Sequence, residues 1–354
     1  MEKDAGWKLC RLGLFILLAI ISSASPALAK HKDDVVILKN GDRLTGEIKG
    51  LQHGELKFKA SYMVDAVRLD WSGVEQLESK DRYSIALTSG QMFTESVRLT
   101  PSSAADTGNF VIGLAKNAVK VKQMEVLAIA PAEAGFWRQL EGSIDYGFNF
   151  TSGNNQYSTQ LMTTATYRRD NRSFTVALDS TLSGQRNGTS SARNEFTFEY
   201  WKQLTPKWLY GGFLDLLRSG QQSLSLRTTV GGLFARSLVR SERTGLQALG
   251  GLAGTREHYS STVGQPRTSN IDAVGGLTFN TFRFKTTDFR TSFLVYPSLT
   301  TPGRVRMQVK SDLHVELAKH VNLGFHVLEN LDSKPPVGAK KNDLGVSTSL
   351  GWKF

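Results

Sequence analysis

The sequence predicts an all-β protein in which an antiparallel transmembrane β-barrel of about 12 strands follows a duplicated small β domain. Three observations lead to this prediction. Residues 136–354 alternate apolar and polar side chains over segments far longer than soluble strands, which centre on about 5–6 residues. Two similar β-rich stretches precede them. The only sustained apolar run, Leu12–Ile21, is much shorter than the roughly 20 residues of a spanning helix.

Residues 1–29 have the order of a secretory signal peptide. Basic residues precede the apolar run, and small residues follow it up to Ala27-Leu28-Ala29. We expect cleavage after Ala29; the alternative is a short N-terminal membrane anchor. The single cysteine, Cys10, lies in this segment, so the predicted mature chain has neither a disulfide nor a cysteine zinc site.

Residues 30–79 and 80–131 are predicted to be two copies of one small β unit. The pair Asn40-Gly41 stands between apolar runs and predicts a hairpin turn. The second copy follows at a shift of about 49 residues. The matched features are Asn40-Gly41 with Ser89-Gly90, and Val-Glu-Gln-Leu at 74–77 with Met-Glu-Val-Leu at 124–127.

The segment LKNGDRLTGEIKGL resembles the first signature of Sm-like small β-barrels, which carry an N-G turn and a G-x-[LI] strand at this spacing. Sm-like barrels often bind RNA, and RNA binding requires a basic surface with stacking aromatic side chains. Residues 30–135 contain 14 basic and 14 acidic residues and are therefore neutral. We expect no nucleic-acid partner, but a periplasmic adaptor or plug-like domain whose own partner is unknown.

After a linker at 132–136, residues 137–354 divide into twelve alternating segments. Bacterial single-chain barrels have an even number of strands, which places both termini on one side, with short turns there and longer loops at the other end. The segments are 137–151, 156–169, 172–185, 193–204, 207–218, 222–236, 243–257, 268–282, 287–298, 303–318, 321–332 and 342–354.

The alternation also predicts which charged side chains line the barrel lumen. Acidic residues occupy inward positions on early strands, and basic residues occupy them on late strands. The predicted lining residues are Glu141, Asp145, Asp179, Glu195 and Glu199 on one wall, and Arg304, Arg306 and Lys310 on the other. A bore of about twelve strands is either closed by such charges or left narrow. The barrel has 26 basic and 16 acidic residues, so an open bore would be expected to prefer anions.

Two further lumen residues, His314 and His326, are expected to lie opposite each other on neighbouring strands if Lys319–Val321 forms a three-residue turn. With Asp312 nearby, the pair could be a metal site, a proton-sensitive gate or simply a hydrogen-bonded pair. A zinc site needs three or four ligands, so we expect neither a metal nor a cofactor.

Aromatic residues cluster at the strand ends predicted to lie at the periplasmic interface, where indole rings are favoured. The predicted girdle contains Trp137, Trp201, Trp208, Trp352 and Phe354. The alternation of Leu350, Trp352 and the terminal Phe354 resembles the assembly signal of outer-membrane barrels. That resemblance implies contact with the barrel-assembly machinery, in addition to outer-membrane lipid and lipopolysaccharide.

The whole predicted mature chain, and TSFLVYPSLTTPGRVRMQVKSDLHVEL at 291–317 most of all, resembles the YdiY-like family of outer-membrane barrels, domain-of-unknown-function family 481. Some members of that family are described as salt-induced outer-membrane proteins. The resemblance implies an outer-membrane location with residues 30–135 in the periplasm, and it implies no catalytic residues.

The expected function is a narrow pore or an envelope-structural protein. The alternative is a barrel enzyme acting on lipid. The barrel has only four histidines, and the sequence contains no G-x-S-x-G motif and no histidine beside a serine in a recognisable lipase motif. We therefore expect no enzymatic activity.

Overall fold

The computed structural model describes residues 34–100, 109–112, 119–132, 136, 139–151, 156–169, 171–185, 190–260, 267–282, 286–337 and 339–354. The predicted signal peptide, most of the predicted linker and Trp137 lie outside these residues. Among the described residues, no helix is long and apolar enough to cross a membrane.

Nine strands form an N-terminal sheet that precedes the barrel. Their order in the sheet is β4-β3-β2-β1-β5-β6-β7-β8, and β9 pairs with both β5 and β2. The strands are β1 (Asp34–Leu38), β2 (Arg43–Gln52), β3 (Glu55–Lys59), β4 (Val67–Asp70), β5 (Val74–Leu87), β6 (Met92–Thr100), β7 (Asn109–Ile112), β8 (Val119–Lys122) and β9 (Val126–Pro131).

The two halves of the N-terminal sheet repeat one strand pattern. A hairpin with a positive-φ glycine opens each half, at Gly41 and Gly90, and a 3-10 turn precedes the last strand of each. Val74 and Val126 directly follow those turns, so the expected match of Val-Glu-Gln-Leu with Met-Glu-Val-Leu is two residues out of register. Strand β5 runs through the expected boundary at 79–80, because its first part pairs with β1 and its second part with β6 and β9.

The N-terminal sheet has one apolar core, and its largest fully buried side chains include Phe58, Trp71 and Phe110. The two 3-10 turns are joined across this core. The Trp71 indole donates to the Gln123 carbonyl at 3.0 Å, and the Gln123 side-chain amide donates to the carbonyls of Trp71 and Val74. The repeated halves therefore hold each other by matching contacts.

A buried carboxylate connects three strands of this sheet. Asp34 accepts hydrogen bonds from the Ile48 amide at 2.8 Å, from the Tyr83 hydroxyl at 3.0 Å and from the Ser79 hydroxyl. Burial raises the pKa of Tyr83 well above its usual range, which keeps this hydroxyl a donor. The three bonds supply the partners that a buried charge requires.

The remaining twelve strands form a closed barrel in which each strand pairs with its chain neighbour and β10 pairs with β21. This confirms the predicted fold class. The strands are β10 (Leu140–Thr151), β11 (Gln156–Arg169), β12 (Arg172–Gln185), β13 (Ser191–Gln203), β14 (Trp208–Ser219), β15 (Leu224–Arg240), β16 (Thr244–Tyr259), β17 (Arg267–Thr281), β18 (Thr287–Pro297), β19 (Val305–Ala318), β20 (Val321–Asp332) and β21 (Asn342–Lys353).

The barrel reverses the burial pattern of a soluble protein. Its exposed side chains include Phe148 and Val346, which are 62% and 73% exposed, whereas Glu257 is fully buried. Apolar residues outside and polar residues inside are the arrangement that a lipid environment selects. We call the end of the barrel at which β10 begins and β21 ends the terminal end, and the opposite end the loop end.

Replacing Asp34 with alanine is expected to destabilise the N-terminal sheet by about 1–3 kcal/mol, because the Ile48 amide and the Tyr83 hydroxyl would stay buried without their acceptor. Amide hydrogen exchange of the full-length protein would show faster exchange in β1, β2 and β5. The exposed Asp42→Ala variant is the matched control. Unchanged protection of these strands in Asp34→Ala would contradict the assigned role of the carboxylate.

Candidate functional site

The lumen near the loop end contains a network of paired charges. Arg304 donates to Asp332 at 3.1 Å and to Glu257 at 2.9 Å, and Arg227 donates to the other oxygen of Glu257 at 2.7 Å. The side chain of each of these four residues is less than one-tenth exposed. Since buried charges are stable only when paired, these residues form one interdependent unit, which we call the loop-end network.

A second charge contact crosses the middle of the lumen. The Lys310 ammonium donates to Glu195 at 2.6 Å, and Glu195 also accepts from Arg193 at 2.7 Å. Glu195 is on β13 and Lys310 is on β19, half-way round a ring of twelve strands. This contact therefore joins opposite walls of the barrel.

A cavity of about 290 Å³ lies beside this contact. Polar residues, among them Lys310, Gln308 and Asp215, line the cavity together with inward-facing apolar residues. The apolar lining includes Trp201, Phe213, Leu233, Leu249, Leu294 and Tyr296. This apolar lining was not predicted. The sequence nevertheless indicates it, because these strands carry apolar residues at inward positions as well as at outward ones.

The cavity also corrects the position of Trp201, which was predicted to belong to the interfacial girdle. Its indole donates to Glu199 at 3.0 Å. Residues two apart on a strand share a face, so Trp201 points into the lumen with Glu199 and Glu195. Aromatic character alone had suggested the girdle, and the alternation should have overruled it.

The remaining girdle aromatics within the described residues are exposed near the terminal end. The Arg236 guanidinium lies 5.6 Å from the centre of the Trp208 ring, and His320 stacks on Trp352. The backbone of Phe354 exchanges two hydrogen bonds with Gly142, next to the seam at which β10 meets β21. Tyr167, Phe174 and Tyr200 continue the exposed aromatic row on neighbouring strands.

A polar group lies in the lumen towards the terminal end. We call Asp145, Asp288, Asp312, His314 and His326 the histidine cluster. His326 Nδ1 lies 2.7 Å from Asp312, and the two histidine rings meet edge to face at 5.3 Å between centroids.

The expected direct opposition of the two histidines is wrong. His326 lies opposite Asp312, and His314 lies opposite Gly324. The register differs because the turn between β19 and β20 has two residues, Lys319-His320, and a bulge follows Glu316. The rings meet diagonally.

The other predicted lining residues have local partners. Asp179 lies 4.0 Å from Arg193, and Arg306 donates to Asp272 at 2.6 Å. Glu141 accepts from Gln52 of the N-terminal sheet and from Arg168 at 3.4 Å, so it contacts no residue of the predicted basic wall.

Carboxylates outnumber basic groups at the inward positions of the described strands. The acidic members are Glu141, Asp145, Asp179, Glu195, Glu199, Asp215, Glu257, Asp272, Asp288, Asp312, Glu316, Asp332 and Asp343. The basic members are Arg168, Arg193, Arg227, Arg240, Arg290, Arg306, Lys310 and Lys353, together with Arg304 directly before β19. The positive net charge of the barrel therefore does not line its interior, and the expected preference for anions loses its basis.

The N-terminal sheet contacts the barrel at several points around the terminal end. Arg68 donates two hydrogen bonds of 3.0 Å to Glu316, and Lys319 lies 2.6 Å from Asp65, whose pKa this bond lowers. His53 stacks on Phe282 with ring centroids 3.5 Å apart. We call these interactions the mouth contacts.

Gly90 belongs to a further mouth contact. Its carbonyl accepts from the Gln203 side chain, and a Cβ at this position would collide with the Pro206 carbonyl. Its φ of 90° also favours glycine. The second hairpin of the N-terminal sheet therefore depends on glycine both for its turn and for its approach to the barrel.

The closed barrel, its apolar exterior and its charged interior define a transmembrane β-barrel of the outer-membrane type. The model of one family, described as "Protein of unknown function, DUF481", matches residues 144–354. The chain belongs to that family.

Solved structures with a similar fold have low sequence identity to this chain. One is the translocator domain of autotransporter NalP from Neisseria meningitidis, with 12% identity, coverage of 61% of this chain and 87% of that chain, and a TM-score of 0.34. A porin refined at 1.8 Å resolution has 10% identity, coverage of 77% and 98%, and a TM-score of 0.29. The β domain of the Bordetella autotransporter BrkA has 10% identity, coverage of 61% and 98%, and a TM-score of 0.31. No curated protein matches the chain.

Replacing Glu195 with glutamine is expected to lower the stability of the folded barrel by about 3–5 kcal/mol, because Lys310 and Arg193 would lose a buried counter-charge. The temperature at which the folded band disappears from a gel reports this change. Adding Lys310→Met should recover part of the loss. Glu199→Gln is the matched control, since its amide oxygen can still accept from Trp201. Equal transition temperatures for Glu195→Gln and this control would contradict the prediction.

Proposed function

We propose that the protein is an integral outer-membrane barrel with a narrow, largely occluded lumen, and that its N-terminal sheet is a periplasmic domain resting on the mouth of that lumen. The observation that carries the proposal is the contact between Glu195 and Lys310, which connects opposite walls of the barrel. A bore crossed from wall to wall by an ion pair does not admit large solutes. Such a bore would admit only water and small ions, through the space beside the ion pair.

The mouth contacts support the adaptor part of this proposal. They involve the first strand of the barrel through Glu141, the rim residue Gln203 a quarter of the way round the ring, and Phe282 directly after β17. A domain attached on several sides of the mouth covers it rather than hanging beside it. The barrel topology supports a periplasmic location of this domain, since both ends of the barrel and its short turns share one end.

The same orientation supports a proposal for the outer partners. The exposed loop residues Lys340 and Lys341 would face lipopolysaccharide, whose phosphates attract ammonium groups. The apolar outer face would contact lipid. The last strand ends with Trp352 and Phe354 at the terminal end, where the barrel-assembly machinery would read it.

The conductance of full-length protein in planar bilayers tests the pore proposal. Wild type is expected to conduct weakly and to favour cations, because carboxylates dominate its inward face. The double variant Glu195→Ala, Lys310→Ala should conduct several-fold more, while Val346→Ala on the outer face should match wild type. A wide wild-type conductance, an anion preference by reversal potential, or no gain in the double variant would contradict the proposal.

A second candidate function, hydrolysis of a lipid ester, is favoured by one arrangement. Ser349 Oγ lies 2.9 Å from His326 Nε2, and His326 Nδ1 lies 2.7 Å from Asp312, which is the order of a serine nucleophile, its base and an orienting acid. This serine is buried in the lumen, whereas the acyl chains of the membrane contact the outer face. A lipid would have to enter the barrel to reach it.

Lipid turnover in phospholipid vesicles, followed by mass spectrometry, separates the two functions. We expect wild type and Ser349→Ala to give the same background of free fatty acid, because the serine is not accessible from the membrane. Release of fatty acid that requires Ser349 would establish the enzymatic function instead. Thr348→Ala, on the outer face of the same strand, is the control for perturbation of β21.

A further inference from the structure

The histidine cluster lies beside the seam at which the barrel closes. Asp145 comes from β10, His314 from β19 and His326 from β20. One ligand atom of each of these three residues lies within 4.8 Å of the ligand atoms of the other two. We propose that Asp145, His314 and His326 bind a divalent transition-metal ion of the Zn²⁺ type inside the lumen.

The donor set suits this class of ion. Imidazole nitrogen and carboxylate oxygen bind Zn²⁺ at about 2.0–2.2 Å, and two imidazoles with one carboxylate leave a fourth position for water. Hard cations such as Ca²⁺ and Mg²⁺ prefer oxygen ligands and rarely use imidazole. A small inward shift of the three side chains closes the site, because their ligand atoms already converge.

The hydrogen bonding of His314 independently points to a ligand. Its side chain is 11% exposed, yet Nε2 is 3.5 Å from Asp145 and Nδ1 is 3.7 Å from Asp288, both longer than an ordinary hydrogen bond. Within the described residues, neither ring nitrogen of His314 has a hydrogen-bond partner. The Oδ1 atom of the adjacent Asn322 also lacks one. Buried polar atoms without partners are costly, and a bound ion with its water would satisfy them.

Both histidines also have the carboxylate neighbours that usually orient metal ligands. Asp312 holds Nδ1 of His326 at 2.7 Å, so Nε2 is the nitrogen that would bind an ion. To do so, Nε2 would exchange its contact with Ser349, at 2.9 Å, for the metal. Asp288 lies on the Nδ1 side of His314, so its Nε2 faces Asp145. Such outer carboxylates fix the tautomer of a ligating histidine and raise its basicity.

Glycines leave room for the cluster. A Cβ at Gly324 would collide with His326 and Ser349, and a Cβ at Gly351 would collide with Asp145 and Asn322. Strands β20 and β21 therefore have no side chains at the two positions where the ligands pack.

A bound ion would have a structural consequence. The register between β10 and β21 covers only four residue pairs, from Ser143 to Tyr146 on β10. An ion held by β10, β19 and β20 would tie the first strand of the barrel to the strands before the last one. The site would thus reinforce the shortest pairing in the ring.

Titration of the chelator-treated, full-length protein in detergent with Zn²⁺ tests the proposal, with Co²⁺ absorption as a second readout. We expect one Zn²⁺ per chain, a Co²⁺ spectrum typical of nitrogen and oxygen ligands, and a rise in the unfolding temperature on binding. His314→Gln and His326→Gln should each weaken the binding of Zn²⁺ at least about tenfold. His320→Gln, at the terminal-end turn, should bind as wild type does.

Two results would overturn the proposal. One is equal affinity for Zn²⁺ in wild type and in the His314→Gln variant. The other is equally tight binding of Ca²⁺ or Mg²⁺ by wild type, which would indicate only the acidic lumen. The folded gel band of each variant shows whether it assembles. Asp145→Asn provides a second ligand variant, which should also lose affinity, should a histidine variant fail to assemble.

Discussion

The constraint on which this structure depends is that lipid surrounds the barrel, so charged residues in the lipid-facing band of its strands must point inward and find partners there. Glu195 shows the result, since Arg193 from its own strand and Lys310 from the opposite wall share its carboxylate. Burying an ion without a partner costs several kcal/mol, which favours pairing among the inward charges of a narrow lumen. The ion pairs that stabilise these inward charges therefore also obstruct the lumen.

The ion pairs are not spread evenly, so the lining of the lumen differs along its length. Charges fill the loop end, where Glu257 binds two arginines, while apolar side chains such as Leu249 and Leu294 line part of the middle. The cavity lies between these two kinds of lining. Towards the terminal end, His314 lies 3.5 Å and 3.7 Å from two carboxylates, which is longer than an ordinary hydrogen bond. Both ring nitrogens of this histidine are buried without a hydrogen-bond partner among the described residues, and ligand atoms of Asp145 and His326 converge on it. That combination distinguishes a candidate ligand site from packing.

Alternation of side chains predicted the twelve barrel strands because a lipid-facing strand must place every second residue outward. It could not predict partners across the lumen, since these depend on strand tilt and stagger. Glu195 and Lys310 are far apart in sequence and meet only because their strands lie half a ring apart. The predicted histidine register was wrong for two local reasons, a two-residue turn and a bulge after Glu316, neither of which alternation reveals. Trp201 was misplaced because its residue type was given more weight than its position.

The N-terminal sheet fits the same constraint at the rim of the barrel. Inward positions there carry Glu316 and Glu141, of which Glu141 also accepts from Arg168 of the barrel. Gln52 and Arg68 of the N-terminal sheet donate to these two carboxylates. A domain with no net charge can thus bind an acidic mouth, because it places individual donors where the lumen has acceptors in excess. The excess of carboxylates in the lumen thus helps to determine the position of the domain, because donors of the N-terminal sheet pair with carboxylates at the barrel mouth.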